Sequence, residues 1–208
     1  MGDVKRGDAG ATLTLRAERA AVTRRRIAEA ARRLFARDGY GATTLKDVAA
    51  EAGVAVQTVY AVYRSKAGIL ATLRDEALHQ PEAEALIREA LAQPSPTRRI
   101  ELFAHSIRRR WELAGDIVAI HRDAATTDPA VREGVEQVLS IRRGGVAMFA
   151  QSLADNLRSG VDVARATAVL DALTLPEVYA ELVDIQGWTP DKYEAWLAGV
   201  LRRELLDA

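Results

Sequence analysis

The sequence predicts an all-α protein, and three observations carry that prediction. Apolar residues recur at spacings of three and four along nearly every segment, Pro and Gly fall between segments, and no alternating Val/Ile/Thr-rich run makes a useful strand. At 208 residues the chain can hold one sizeable core, or a small domain joined to a larger one. The absence of cysteine excludes disulfides, thiolate zinc sites and thiol nucleophiles, and suits a reducing, cytoplasmic setting. Neither a bilayer-long apolar run nor an apolar N-terminal stretch is present, so no membrane span or signal peptide is expected.

Residues 1–15, rich in Gly, Asp and Thr, read as a mobile arm. A first helix is expected from about Ala17 to Arg37, with Ile27, Ala31, Leu34 and Phe35 on one face, ending at Asp38-Gly39-Tyr40-Gly41. Thr44 caps a short second helix, and Asp47 three residues on makes a near capping box that satisfies amide donors at the helix start. Gly53 ends that helix because it accepts the left-handed conformation of a tight turn. A third short helix follows from about Ala55 to Val62, with Val54, Val59 and Val62 toward the core. That leaves Val56, Gln57, Thr58 and Tyr60 for an outside partner.

Ser65 caps a fourth helix with Ile69, Leu70, Leu73 and Ala77 inward, ending before Pro81. Beyond Pro94 and Pro96, the residues Ile100, Phe103, Ile107, Trp111 and Ala114 form the buried stripe of another helix. Asp128-Pro129 opens a long helix that could reach Asn156, striped by Val131, Val135, Val138, Val146, Phe149 and Leu153. The last two helices span 163–185, with a break at Pro176, and Thr189-Pro190 to Leu206.

Two short helices joined by a Gly turn, with a longer helix behind them, make a helix-turn-helix, whose second helix can enter the DNA major groove. The charge distribution agrees, although by itself it does not assign a partner. Residues 1–80 carry 14 Lys+Arg against 9 Asp+Glu, while residues 81–208 carry 15 against 20.

At this stretch the sequence resembles the tetracycline-repressor (TetR) family of bacterial transcription regulators. The resemblance is carried by residues 24–70, RRRIAEAARRLFARDGYGATTLKDVAAEAGVAVQTVYAVYRSKAGIL, with Phe35, Gly39, Thr43-Thr44, Gly53-Val54, Thr58, Tyr60 and Ser65-Lys66. The C-terminal DALTLPEVYAELVDIQGWTPDKYEAWLAGVL also looks like the tail of one branch of that family. The resemblance implies a DNA-binding domain over residues 16–64 and a larger helical domain over 65–208 that binds a small molecule and dimerises, with 65–80 as the connecting helix. It implies phosphate contacts from Thr44, Tyr60 and Lys66, and an approach to the DNA by Lys46; such contacts position the protein rather than specify a sequence. Base reading falls to Val56, Gln57 and Thr58, since an amide can bond adenine bidentately and a valine can pack on the thymine methyl. Many members carry Ser with Lys, Arg or another polar residue where this chain has Ala55-Val56. That departure shifts the expected balance toward apolar contact, Gln57 and DNA shape.

The expected partners are a double-stranded palindromic operator, a second copy of the chain and an unidentified small-molecule effector. For the dimer interface the sequence offers Val178, Leu182, Tyr193, Trp196, Leu197, Val200 and Leu201, which are more apolar than a monomer surface usually tolerates, unless both faces pack within one chain. For the ligand pocket it offers Phe103, His105, Trp111, His121, Arg142, Phe149 and Tyr179. Core packing is the competing account of these aromatics, and Arg142, which interrupts the Val138–Val146 stripe, requires either an acidic side chain or an anionic ligand. The chain has three histidines and lacks HExxH, GxSxG and Walker A sequences, so no enzymatic activity, cofactor or metal is expected. A constitutive DNA-binding protein and a helical protein-binding adaptor are the alternatives.

Overall fold

The computed structural model describes residues 7–78 and 81–207. Helix α1 (Gly7–Asp38) is followed by α2 (Leu45–Ala52), α3 (Val56–Tyr63), α4 (Lys66–Leu78), α5 (Pro81–Ala92), α6 (Pro96–Thr127) and α7 (Pro129–Ser152). A 3-10 turn at Ala154–Asn156 leads to α8 (Val163–Leu173), a short α9 (Pro176–Tyr179) that widens into a π turn over Ala180–Ile185, and α10 (Pro190–Leu205). Among the described residues the extended pairing is confined to an isolated bridge between Leu157 and Leu206. Of the expected arm, residues 1–6 lie outside the described residues, and over 7–15 the backbone continues α1.

The helix ends follow the local chemistry of the sequence. The Thr44 hydroxyl accepts from the Asp47 amide at 3.2 Å while the Asp47 carboxylate accepts from the Thr44 amide at 2.9 Å, completing the capping box. Gly53 takes φ 61, ψ 43, and the amides of Gly53 and Val54 close onto the carbonyls of Ala50 and Ala49. Asp128 caps α7 through the Ala130 amide, Thr189 caps α10 through the Lys192 amide, and Ser65 accepts from the Gly68 amide at the start of α4. Helix α7 stops at Ser152, four residues short of the expected reach.

Two cores organise the chain. The first gathers Ile27, Leu34, Phe35, Val48, Val59, Tyr63, Ile69 and Leu70 from α1–α4, and includes Ile117, Ile120 and Ala124 of α6 and Val131 of α7. The second is built from α6, α7, α8 and α10 around Phe103, Trp111, Phe149, Leu170, Tyr193 and Leu197. Helix α6 therefore contributes one end to each core. The lower corner of the body, where α6 turns into α7, is packed directly against the head.

The α10 stripe is a point of correction. Tyr193, Leu197, Leu201 and Leu205 are fully buried inside one chain, so Tyr193, Leu197 and Leu201 fill the second core and do not present a face to a partner. An amphipathic helix must bury its apolar stripe somewhere, and here α6 and α8 supply the cover. Trp196 and Val200, beside the stripe on α10, and Val178 and Leu182 remain half-buried, with Trp196, Val178 and Leu182 packed against the edge of the second core.

Candidate nucleic-acid interface and ligand cavity

The head positions its polar residues by burying one side of each short helix. Val59 and Tyr63 anchor α3 in the core, and the Tyr63 hydroxyl donates to the Arg24 carbonyl at 2.9 Å. The opposite face carries Gln57 and Tyr60, both exposed, the latter 54%. Thr58 and Val56 are half-buried, and Val56 packs in part against the head core, so only some of its surface faces outward. Thr44 and Lys46 are exposed at the start of α2, and Lys46 has no ion pair among the described residues. Arg26 reaches from α1 to the Ala52 carbonyl at 2.6 Å, which ties the turn between α2 and α3 to the longer helix behind it.

Lys66 is held differently from an open phosphate ligand. Its ammonium donates to the carbonyls of Tyr40 at 2.6 Å and Gly41 at 3.3 Å, and sits 4.5 Å from the centre of the Tyr40 ring. An ammonium has three donors, so one remains beyond these two bonds. Beside it, Arg64 is exposed at φ 64, ψ −41, where the Ser65 amide reaches the Tyr63 carbonyl at 2.7 Å in a γ-turn. A Cβ on Gly68 would meet that same carbonyl at 2.2 Å, so glycine lets α4 follow α3 this closely. Sequence reasoning passed over Arg64, whose signal was a basic residue between the third helix and the Ser65 cap.

The body contains a cavity of about 300 Å³ bounded by α4, α6, α7 and the start of α9. Its walls are chiefly apolar: Ala77, Trp111, Ala114, Ile117, Val118, Val135, Val138, Leu139, Leu175 and Pro176. It lies where the two cores meet, since Ile117 and Val135 belong with the head-side core and Trp111 and Val118 with the body-side core. A hollow of about 380 Å³ between the start of α6 and α10 is ringed by Arg98, Glu101, Asp191, Glu194 and Arg202. That charged rim suits it less to an apolar occupant than the smaller, chiefly apolar cavity.

Of the candidate pocket residues, Trp111, His121 and Arg142 line the cavity. Phe103 and Phe149 do not: they stack on each other at 4.0 Å and 13° inside the second core. Tyr179 is buried edge-on to Tyr193 at 4.9 Å, and His105 pairs with Glu194 at 2.8 Å beside α10. Arg142 has the structural partner its position required. It donates to the Asp171 carboxylate at 2.5 Å, the Asp171 carbonyl at 2.8 Å and the Thr174 hydroxyl at 2.8 Å, clasping the C-terminal end of α8. Arg110 was not anticipated, although it falls on the buried stripe between Ile107 and Ala114 at helical spacing.

His121 is buried, with Nδ1 2.9 Å from the Ile117 carbonyl. Burial pushes the imidazole below its ordinary 6.5, with the Ile117 carbonyl opposing that shift. A depressed folded-state value means that the unfolded chain binds more protons as pH falls below about 6.5. Stability is therefore expected to fall with pH across that window, and His121→Gln should flatten this part of a pH series of melting temperatures. An unchanged slope would assign the effect to other groups.

Comparison with known proteins places these features. Residues 27–73 match the model of bacterial regulatory proteins of the tetR family. No curated protein sequence matches the chain. Among solved structures, NalD, the secondary repressor of the MexAB-OprM multidrug efflux pump in Pseudomonas aeruginosa, superposes with a TM-score of 0.71 at 23% identity, over 91% of this chain and 98% of that one. A SmeT–triclosan complex gives 0.71 at 19% identity, over 89% and 92%. PfmR from Thermus thermophilus gives 0.66 at 22% identity, over 88% and 96%. The head therefore matches a tetR-family model, and the chain shares the fold of these solved structures over most of its length.

Proposed function

We propose that the protein is a cytoplasmic, ligand-responsive repressor that binds a palindromic operator as a homodimer. The observation that carries the DNA-binding part is the exposed Gln57–Tyr60 face of α3, held out from the head by the Gly53 turn and flanked by Lys46 and Arg64. The cavity at the junction of the two cores carries the effector part and favours this reading over constitutive DNA binding. The names of the solved neighbours accord with it: one is a repressor and another was solved with triclosan. Of the residues expected at a dimer interface, Trp196, Val200, Val178 and Leu182 keep partly exposed apolar surface for a partner copy.

Coupling would run through the corner between α6 and α7. The Tyr40 hydroxyl donates to the Asp128 carboxylate at 2.8 Å, and the Tyr40 carbonyl and ring hold Lys66, the first residue of α4. An effector lodged between α6 and α7 alters their spacing, and the Asp128–Tyr40–Lys66 chain passes that change to the helix that follows α3. A ligand shifts the equilibrium only by its differential affinity for the two arrangements, and moving the population from 99:1 to 1:99 takes about 5.5 kcal/mol.

Selection of binding sites from random duplex DNA at two salt concentrations tests the proposal. A palindrome with half-sites about one helical turn apart, bound more weakly at higher salt, is expected. A folded protein that enriches no palindrome would sink it. On the selected site, Tyr60→Phe should weaken binding to most sequences alike. Gln57→Ala should mainly change preference at one position in each half-site, at about 1–3 kcal/mol for the preferred base. If both variants bind as tightly as the parent, α3 is not the reading helix.

A further inference from the structure

The cavity is rich in cations for so apolar a site. Arg74, Arg110, Arg122 and Arg142 all line it, against one carboxylate, Glu177. Three of the four arginines have carboxylate partners: Arg74 with Asp75, Arg122 with Glu177 and Arg142 with Asp171. Among the described residues Arg110 has no ion pair, and its Nε is buried without an acceptor. Its neighbour Trp111 has the same defect, since the indole Nε1 is also buried without an acceptor. Two consecutive residues of α6 that line one cavity thus each carry a buried N–H without an acceptor. Burial and the like charge of Arg142 push the Arg110 guanidinium below its ordinary value, with Glu84 opposing. Arg110 is half-buried, and a cation held partly out of water without a counter-charge carries a cost that is relieved when an anion enters.

From this arrangement we infer that the effector is an organic monoanion, a carboxylate on an apolar body, whose oxygens accept from Arg110 and Trp111 while the body lies along Ile117, Val118, Val135 and Val138. This rests on the reading of the cavity as the effector site. A water in the liquid takes about 30 Å³, so the cavity matches about ten waters, or a molecule of roughly ten to fifteen non-hydrogen atoms. Arg122 and Glu177, each about half exposed and paired with each other, mark the solvent edge of the cavity. Arg142 is already held by Asp171 and Thr174, so the charge recognition falls to Arg110.

Titration calorimetry on the full-length protein tests this with decanoate and 4-phenylbutanoate as probes, and with decanamide and decylamine as neutral and cationic counterparts, all below micellar concentrations. At least one acid is expected to bind saturably, one molecule per chain, at least about tenfold tighter than decanamide, because hydrogen bonds to charged groups carry most of such a difference. Arg110→Gln should erase that preference and Arg110→Lys should keep part of it. Equal or tighter binding of decanamide or decylamine overturns the inference, as does the absence of saturable binding by both acids. A folded Arg110→Gln protein that keeps the full preference for the acid also overturns it. If Arg110→Gln does not fold, the comparison of acid with amide on the parent protein still decides. Operator binding is read separately by fluorescence anisotropy. An acid that binds without affecting the operator complex would sink the regulatory reading and leave this inference standing, whereas a neutral compound that alone releases the operator would do the reverse.

Discussion

Phe149→Ala is expected to destabilise the protein by about 3–5 kcal/mol, the usual cost of removing a fully buried phenylalanine. Phe149 is 1% exposed and stacks on Phe103 across the interface of α6 and α7, so truncation leaves a void in the second core. For a chain of this size that loss lowers the melting temperature by about 6–20 °C. The functional counterpart matters as much. Because Phe149 belongs to the second core and not to the cavity wall, the affinity of any effector measured well below the new melting temperature should stay within about twofold of the parent, a difference of roughly 0.4 kcal/mol. A variant of unchanged stability with weakened effector binding would instead put Phe149 in the wall, as the aromatic pattern of the sequence allows.

Arg142→Met is the second large effect. The guanidinium has 15% of its side chain exposed and satisfies an acidic side chain, a helix-terminal carbonyl and a fully buried threonine. Removing it leaves Asp171 without its cation and strips a donor from the end of α8, for a cost of about 2–3 kcal/mol, below that of a fully enclosed pair because Asp171 is 28% exposed. Urea titrations of Arg142→Met, Asp171→Leu and the double variant would measure the coupling. The double variant should recover much of the loss, since it replaces the unmatched charge with apolar bulk. Strictly additive losses would show that the two residues act independently. Since Leu175 and Pro176 follow the clasped end of α8 into the cavity wall, Arg142→Met should also weaken effector binding while Phe149→Ala does not.

What could be read in advance divides along a physical line. The caps at Thr44, Asp128 and Thr189 and the left-handed Gly53 are decided by side chains within three residues of the backbone they serve, so sequence spacing alone discloses them. The face of α3 was legible for the same reason, as Val59 in and Gln57 out follow from its periodicity. The destination of the aromatics was not legible. Phe103 and Trp111 occupy the same stripe of α6, yet one stacks in a core and the other lines a cavity, and that difference depends on what α7 brings opposite each. The α10 stripe was ambiguous between partner and self, and packing against α6 and α8 resolved Tyr193, Leu197 and Leu201 inward. Arg142 finds its acid 29 residues away and Arg110 finds none among the described residues, and neither outcome is encoded by local spacing.

The meeting of two cores at a hollow also bears on how the chain opens. Where packing is continuous a domain tends to unfold as a block, whereas a gap in the contact network marks a seam along which smaller openings begin. Helix α6 crosses that seam, so it is the element through which the head and the body must either melt together or part. An occupant of the hollow joins them into a single cooperative unit and holds the closed form by mass action. By the same reasoning the empty protein is the form a protease would find more often, so limited proteolysis with and without an occupant should report whether the hollow is filled.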